Sequence, residues 1–277
     1  MAAYLRPATL ADALAALAAD PGLRVVAGGT DVYPALAEAA PRTAMLDLTA
    51  LPLRGIARDG DTWRFGALTT WADIMGADLP PGFAALQQAA REVGSPQIQT
   101  TGTIAGNIVN ASPAADGTVA LLALGAWVEV AGRVPRRVAL VDFVLGPRRV
   151  ALAPGELVVA VHVPDPGPGV AGFAKLGARK YLVISIAMVA ANLRLEGGII
   201  AQAGIAVGSC SPVARRLTAL ETRLVGVPLA QAAAQVRAGD ADGLAPISDV
   251  RAGAGYRRDV VPVLVARLLD RLAGEAT

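Results

Sequence analysis

The chain is 277 residues long, 54% hydrophobic and 17% charged, with a formal net charge of +2. That length suggests about two domains with a substantial core, the apolar share excludes a disordered chain, and the weak charge, with no basic tract interleaved with aromatics, argues against a nucleic-acid partner. A single histidine, His162, and a single cysteine, Cys210, leave too few ligands for a structural zinc site or an iron–sulfur cluster, and no pair for a disulfide.

In chain order, Thr9 is placed to cap a helix over Leu10 to Leu17, whose apolar spacing buries one face, and Asp20-Pro21-Gly22 stops it. Leu23 to Ala27 reads as a short buried strand, Gly28-Gly29 as a turn, Asp31 to Ala40 as a helix, and Ala44 to Asp47 as the next strand, parallel to the first. Gly55 to Arg58 and Thr62 to Gly66 flank Asp59-Gly60-Asp61, a hairpin signal. Thr70 caps a helix from Trp71; Phe83 to Val93 and Thr118 to Leu124 are further helices. Strands are expected at Ala126 to Val130, Arg137 to Leu140 and Glu156 to Val163. His162 falls in an alternating run that ends at Pro164, so it reads as a structural residue.

Asp165-Pro166-Gly167-Pro168-Gly169 is the clearest boundary in the chain. Beyond it, Gly172 to Leu176, Ser185 to Leu195 and Ile199 to Val207 read as strands, the last two joined by a Gly197-Gly198 turn. Ser211-Pro212 has the form of a helix cap with a proline start. Tyr256 to Leu272 is a long amphipathic stretch, and the pairs Arg215-Arg216 and Arg257-Arg258 read as solvated helix faces. No run approaches the ~18 uninterrupted apolar residues of a spanning helix, and no basic-then-apolar signal pattern opens the chain. A soluble cytoplasmic protein is the expectation, and a lone cysteine fits a reducing compartment.

Two glycine-bearing segments carry most of the functional information. Ala27-Gly28-Gly29-Thr30-Asp31 follows a strand. Its glycines permit positive φ and a close ligand approach, so successive amides can form a nest for a phosphate; an ordinary strand-to-helix turn has the same composition. In Thr101-Gly102-Thr103-Ile104-Ala105-Gly106-Asn107-Ile108-Val109-Asn110-Ala111-Ser112-Pro113-Ala114-Ala115-Asp116, polar side chains crowd an otherwise apolar stretch. They need partners. A ribityl chain and a diphosphate could supply them, and so could the loop's own backbone. There is no Gly-x-Gly-x-x-Gly and no Rossmann-type acidic residue. With so few groups able to act as acid, base or nucleophile, a cofactor would carry the reactive centre of any enzyme.

The two segments resemble the FAD-binding medium subunit of the molybdenum hydroxylases, the xanthine dehydrogenase, carbon monoxide dehydrogenase and nicotinate dehydrogenase type. That family has an Ala-Gly-Gly-Thr-Asp-like first loop and a Thr-Ile-Gly-Gly-Asn…Ala-Ser-Pro-x-x-Asp second loop. The resemblance continues through Lys175-Leu176-Gly177-Ala178-Arg179-Lys180 and Arg251-Ala252-Gly253-Ala254-Gly255-Tyr256-Arg257. Ala105 stands where the family has the first glycine of Gly-Gly-Asn, Gly117-Thr118 follow Asp116 where larger residues are frequent, and no flavin-stacking aromatic is evident near either loop.

The resemblance implies an α+β fold. A two-lobed PCMH-type FAD-binding domain would cover residues 1–166, with lobe 1 at about 1–53 and lobe 2 at about 54–166. A C-terminal domain, 170–277, would carry a small antiparallel sheet plus helices. The implied FAD-binding residues are Val26, Ala27, Gly28, Gly29, Thr30, Asp31 and Val32, then Thr103, Gly106, Asn107, Val109 and Asp116, then Leu157 and Lys175. Asp116 would accept bonds from the cofactor's hydroxyls, and Lys175 would lie near the flavin and favour its reduced, anionic ring. The implied partners are an iron–sulfur small subunit and a molybdenum-cofactor large subunit, in a dimer of heterotrimers that passes electrons through FAD to NAD, quinone or oxygen. A stand-alone FAD-dependent oxidoreductase and a non-catalytic scaffold are the alternatives.

Overall fold

The structure, a computed structural model, describes residues 3–36 and 44–276. It is a mixed α and β fold, as expected. The first part runs β1 (Tyr4–Leu5), α1 (Leu10–Ala19), β2 (Arg24–Val26), α2 (Val32–Leu36) and β3 (Met45–Asp47). The three strands form a parallel sheet in the order β1-β3-β2. Thr9 caps α1 as expected: its Oγ1 accepts from the Asp12 N–H at 3.1 Å, and the helix buries Ala13 and Leu17. The helix expected over Asp31 to Ala40 is seen to Leu36; 37–40 lie outside the described residues.

The chain then builds a five-stranded antiparallel sheet, β4-β5-β10-β6-β7, from β4 (Ile56–Asp59), β5 (Thr62–Gly66), β6 (Trp127–Ala131), β7 (Arg136–Ala139) and β10 (Leu157–Pro164). Between β5 and β6 lie α3 (Trp71–Gly76), α4 (Ala84–Glu92), α5 (Pro96–Thr101), α6 (Ile104–Asn110) and α7 (Asp116–Ala123). Thr70 and Asp73 form a reciprocal capping box that starts α3. Between β7 and β10 come α8 (Leu140–Phe143) and a small hairpin, β8 (Val144–Gly146) with β9 (Arg149–Val150), which the sequence reading did not anticipate. His162 is structural: buried, stacked on Trp127 with ring centroids 3.8 Å apart, and 2.8 Å from a Glu129 oxygen through Nε2.

After the Pro/Gly boundary, β11 (Gly169–Leu176), β12 (Ala187–Glu196), β13 (Ile199–Gly208) and β14 (Arg215–Arg216) form an antiparallel sheet in sequential order, followed by α9 (Thr218–Leu224) and α10 (Ala254–Glu275). Both faces of this sheet are covered. Met188, Ala190 and Ala206 join the core shared with α4 and α7, while Val189, Ala191, Ile205 and Val207 pack against α9 and α10. That explains why β12 reads as a continuous apolar run rather than an alternating one.

Three expectations for this region fail. Ser211-Pro212 start no helix; the chain bends there, and Ser211 Oγ accepts from the Ala245 N–H at 3.0 Å instead. Arg215-Arg216 are strand, with Arg216 forked onto Glu221. Arg257 is not solvated but fully buried. Its guanidinium donates to the Ile186 carbonyl at 2.6 Å, the Ser209 carbonyl at 2.9 Å and Asp249 at 2.8 Å, tying α10 to the ends of β12 and β13. Arg257→Ala strands two carbonyls and empties a buried site, while Asp249 keeps Arg251, and we expect it to cost about 3–5 kcal/mol. For a chain of this size that lowers Tm by on the order of 10 °C. The exposed neighbour Arg258→Ala should leave a thermal melt unmoved; equal losses would disprove the tether.

Candidate functional site

A cavity of about 370 Å³ opens at the carboxyl ends of β2 and β3. Ligand crevices of α/β sheets sit at this end of parallel strands. Its walls come from the first glycine loop (Ala27 to Val32) and Leu48 on one side. Thr103, Gly106, Asn107, Val109 and Asn110 of the second segment stand on the other. Ala67, Leu68, Trp71, Leu157 and Val158 make an apolar floor.

The first loop is held open-handed by its glycines. Gly28 lies so close to the chain at the end of α5 that a Cβ there would stand 1.9 Å from the Thr101 carbonyl oxygen. Gly29 has φ of 69°, and a Cβ on it would strike the Tyr33 ring at 2.3 Å. The N–H groups of Gly28, Gly29, Thr30 and Asp31 donate to no acceptor among the described residues, although Gly29 is buried. A buried backbone donor is almost always paired, so the unclaimed amide of buried Gly29, in a run with three less buried ones beside a cavity, points to an anionic ligand.

The second segment departs from the open loop expected of it, because most of it is helix. Ile104, Ala105, Gly106 and Asn107 already donate their N–H groups: to the Thr69 and Ala67 carbonyls, to Thr103 Oγ1 and to the Thr103 carbonyl. Thr103 is thus the cap of α6, and Gly106 makes room for it: a Cβ there would stand 2.7 Å from Thr103 Oγ1. What this wall offers a ligand is side chains, above all the Asn107 and Asn110 amides. Ala105 is accommodated, since it sits inside α6 in ordinary helical conformation. Ser112 closes a turn on itself by accepting from the Ala114 N–H at 3.3 Å. Gly117 is explained by Trp71: a Cβ at 117 would lie 2.1 Å from the indole ring.

Three of the residues singled out from the sequence do not line this cavity. Val26 is buried in β2 beneath the loop. Asp116 and Lys175 face each other instead, with Nζ 2.7 Å from Oδ2, and Ser185 Oγ donates to the other Asp116 oxygen at 2.9 Å. Both side chains of the pair are 8% exposed. Burial pushes the Asp116 carboxyl up from its ordinary value, and the Lys175 ammonium pulls against that. The pair joins the start of α7 to β11. Lys175 also borders a second cavity of about 520 Å³, which it shares with Arg91, Arg179, Lys180 and Arg271.

Sequence reasoning missed Trp71, Val158 and Leu48, which reach the cavity from elements far from either glycine segment. Trp71 directly follows a Thr cap and is 1% exposed; its large ring on a short helix was the available signal. No cluster of three or more metal-binding side chains occurs among the described residues.

Comparison with known proteins bears on this geometry. The FAD binding domain in molybdopterin dehydrogenase matches residues 1–166, and the CO dehydrogenase flavoprotein C-terminal domain matches 173–272. The chain is 32% identical to a xanthine dehydrogenase FAD-binding subunit of Escherichia coli O157:H7, over 99% of this chain and 97% of that one. It is 31% identical to the nicotine 6-hydroxylase medium subunit of Paenarthrobacter nicotinovorans, over 96% and 95%. Among solved structures, a chain of the reconstituted CO dehydrogenase from Oligotropha carboxidovorans superposes with a TM-score of 0.86 at 29% identity, covering 99% of this chain and 98% of that one.

Proposed function

The chain belongs to the FAD-binding medium subunits of the molybdenum hydroxylases, and from that premise we propose that it takes electrons from the iron–sulfur clusters of a partner subunit and hands them to an external acceptor, with FAD as its cofactor. The observation that carries the reading is the run of unclaimed amides from Gly28 to Asp31, facing an Asn-lined wall across a narrow cavity. Bound FAD supplies redox chemistry that accepts electrons singly or in pairs.

The chain's own residues do the holding. The amides of Gly28, Gly29 and Thr30 bind the diphosphate, and Asn107 and Asn110 take polar oxygens from the opposite wall. Ala67, Leu68, Leu157 and Val158 keep water from the apolar part of the cofactor. Val26 supports the loop from below. Lys175 and Asp116 brace the cleft from behind, and the Lys175 cation sets the local potential toward the flavin. No side chain here need act as a general acid or base.

Electrons enter from an iron–sulfur small subunit, the molybdenum cofactor resides on a large subunit, and the assembly is a dimer of heterotrimers. NAD, a quinone or oxygen is the acceptor, and the protein works in the cytoplasm. No helix among the described residues is long and apolar enough to cross a membrane.

The test is an absorption spectrum of the purified chain, with the cofactor released by denaturation and identified. Stoichiometric FAD without iron–sulfur absorption is the expected result. A chain that takes up no flavin, even from excess FAD, would leave the scaffold role or a site that forms only in the complex.

A further inference from the structure

Resting on the FAD reading, we propose that Arg148 is a cofactor-binding residue that closes the mouth of the glycine cleft over the diphosphate. Among the described residues that line the cleft there is no lysine or arginine, yet there are two carboxylates, Asp31 and Glu156. Glu156 is neutralised by Arg136, forked onto it at 2.9 and 2.6 Å. Asp31 is more than half exposed and stands in the amide loop itself, where an uncompensated negative charge would repel a diphosphate. Among the described residues the one cation that meets it is Arg148, whose guanidinium is 3.7 Å from the Asp31 carboxylate.

The placement of Arg148 is built rather than incidental. It sits in the turn of the β8–β9 hairpin with φ of 58°, in the left-handed region that favours glycine. The turn is fixed by the Arg148 N–H, which donates to the Ala111 carbonyl at 3.0 Å, just past the end of α6. From there the side chain reaches Asn110, donating to its carbonyl at 3.3 Å and to its side-chain oxygen. Asp31 and Asn110 belong to opposite walls, so one guanidinium spans the cleft mouth. It is 63% exposed, with donors to spare for a phosphate oxygen. Arginine suits this post because its planar fork can serve a carboxylate and a phosphate together.

The test is FAD affinity of the full chain stripped of flavin, measured by flavin fluorescence for the wild type, Arg148→Gly and Arg148→Lys. Glycine suits the observed φ, so the hairpin is retained while the guanidinium is lost. In low salt Arg148→Gly should bind FAD about 10- to 100-fold more weakly, Arg148→Lys should recover only the part that charge alone supplies, and molar salt should narrow the gap. Unchanged affinity in Arg148→Gly would overturn the assignment. So would equal, salt-independent losses in both variants, which would mark Arg148 as a structural strut on Asn110. A wild-type chain that binds no FAD would remove the cofactor reading itself, and this inference with it.

Discussion

Gly28→Val should yield a folded chain that retains less than roughly a tenth of stoichiometric FAD, and Gly28→Ala should be nearly as damaging. From sequence, the reason would be steric cover over the amides of the loop. The structure supplies a more demanding one. The first atom of any side chain at 28 meets the Thr101 carbonyl oxygen at 1.9 Å and its carbon at 2.6 Å, and the backbone of Gly102 at 3.0 Å. A backbone obstacle cannot rotate aside, so the loop must lift from α5 and carry its amides out of line with Asn107. Overpacking of this kind costs roughly 1–3 kcal/mol, small against the loss of a preorganised ligand site. Gly243→Ala is the control, because that glycine is exposed with open space around its Cβ direction. FAD-to-protein ratios decide the matter: a Gly28→Ala variant with full FAD would show that the loop does not depend on its contact with Thr101.

The architecture was largely legible because most elements announce themselves locally. Thr9 and Thr70 cap the helices they were expected to cap, Gly60 turns its hairpin with φ of 58°, and Gly197-Gly198 turn theirs with φ of 58° and 80°. The failures share a cause. Arg257 looks solvated because its helix reads as amphipathic with charge outside; only the ends of β12 and β13, some 50 to 70 residues away, reveal the two carbonyls that accept from it beside Asp249. Ser211-Pro212 satisfied a local helix rule, but the Ser211 hydroxyl is used across the fold by Ala245. At the site, glycine and Asn positions stood out in sequence, whereas whether an amide is free is a tertiary fact. The Ile104 and Ala105 amides are claimed by carbonyls at 69 and 67, on the segment after β5, which no local reading of the second segment could supply. Arg148 was invisible for the same reason: its turn carries no glycine at the left-handed position.

The Asp116–Lys175 pair should behave very differently when one partner is removed than when both are. Asp116→Ala leaves the Lys175 ammonium buried, with only the Glu92 carbonyl at 3.4 Å to accept from it among the described residues, and should cost about 3–5 kcal/mol. Lys175→Met leaves a buried carboxyl that still accepts from Ser185. Burial already raises Asp116 above its ordinary 3.8, and loss of the cation raises it further. Its folded-state value then exceeds its unfolded one, so the folded state holds the extra proton. Stability of Lys175→Met therefore falls as pH rises from about 4 toward the folded-state value, and the variant should be better tolerated in mildly acidic buffer than at neutrality. Replacing both, Asp116→Ala with Lys175→Met, removes the stranded charge and should cost less than the sum of the singles by a few kcal/mol. Denaturant melts of the four proteins measure that coupling; additive losses would mean the two groups are not a pair. The same four proteins separate bracing from tuning. If Lys175 sets the flavin potential, the potential falls in Lys175→Met and falls less in the double variant, because the opposing Asp116 charge 2.7 Å away is removed too. If the pair only braces the cleft, the double variant recovers stability while Lys175→Met itself keeps the wild-type potential, and Lys175 leaves the cofactor site.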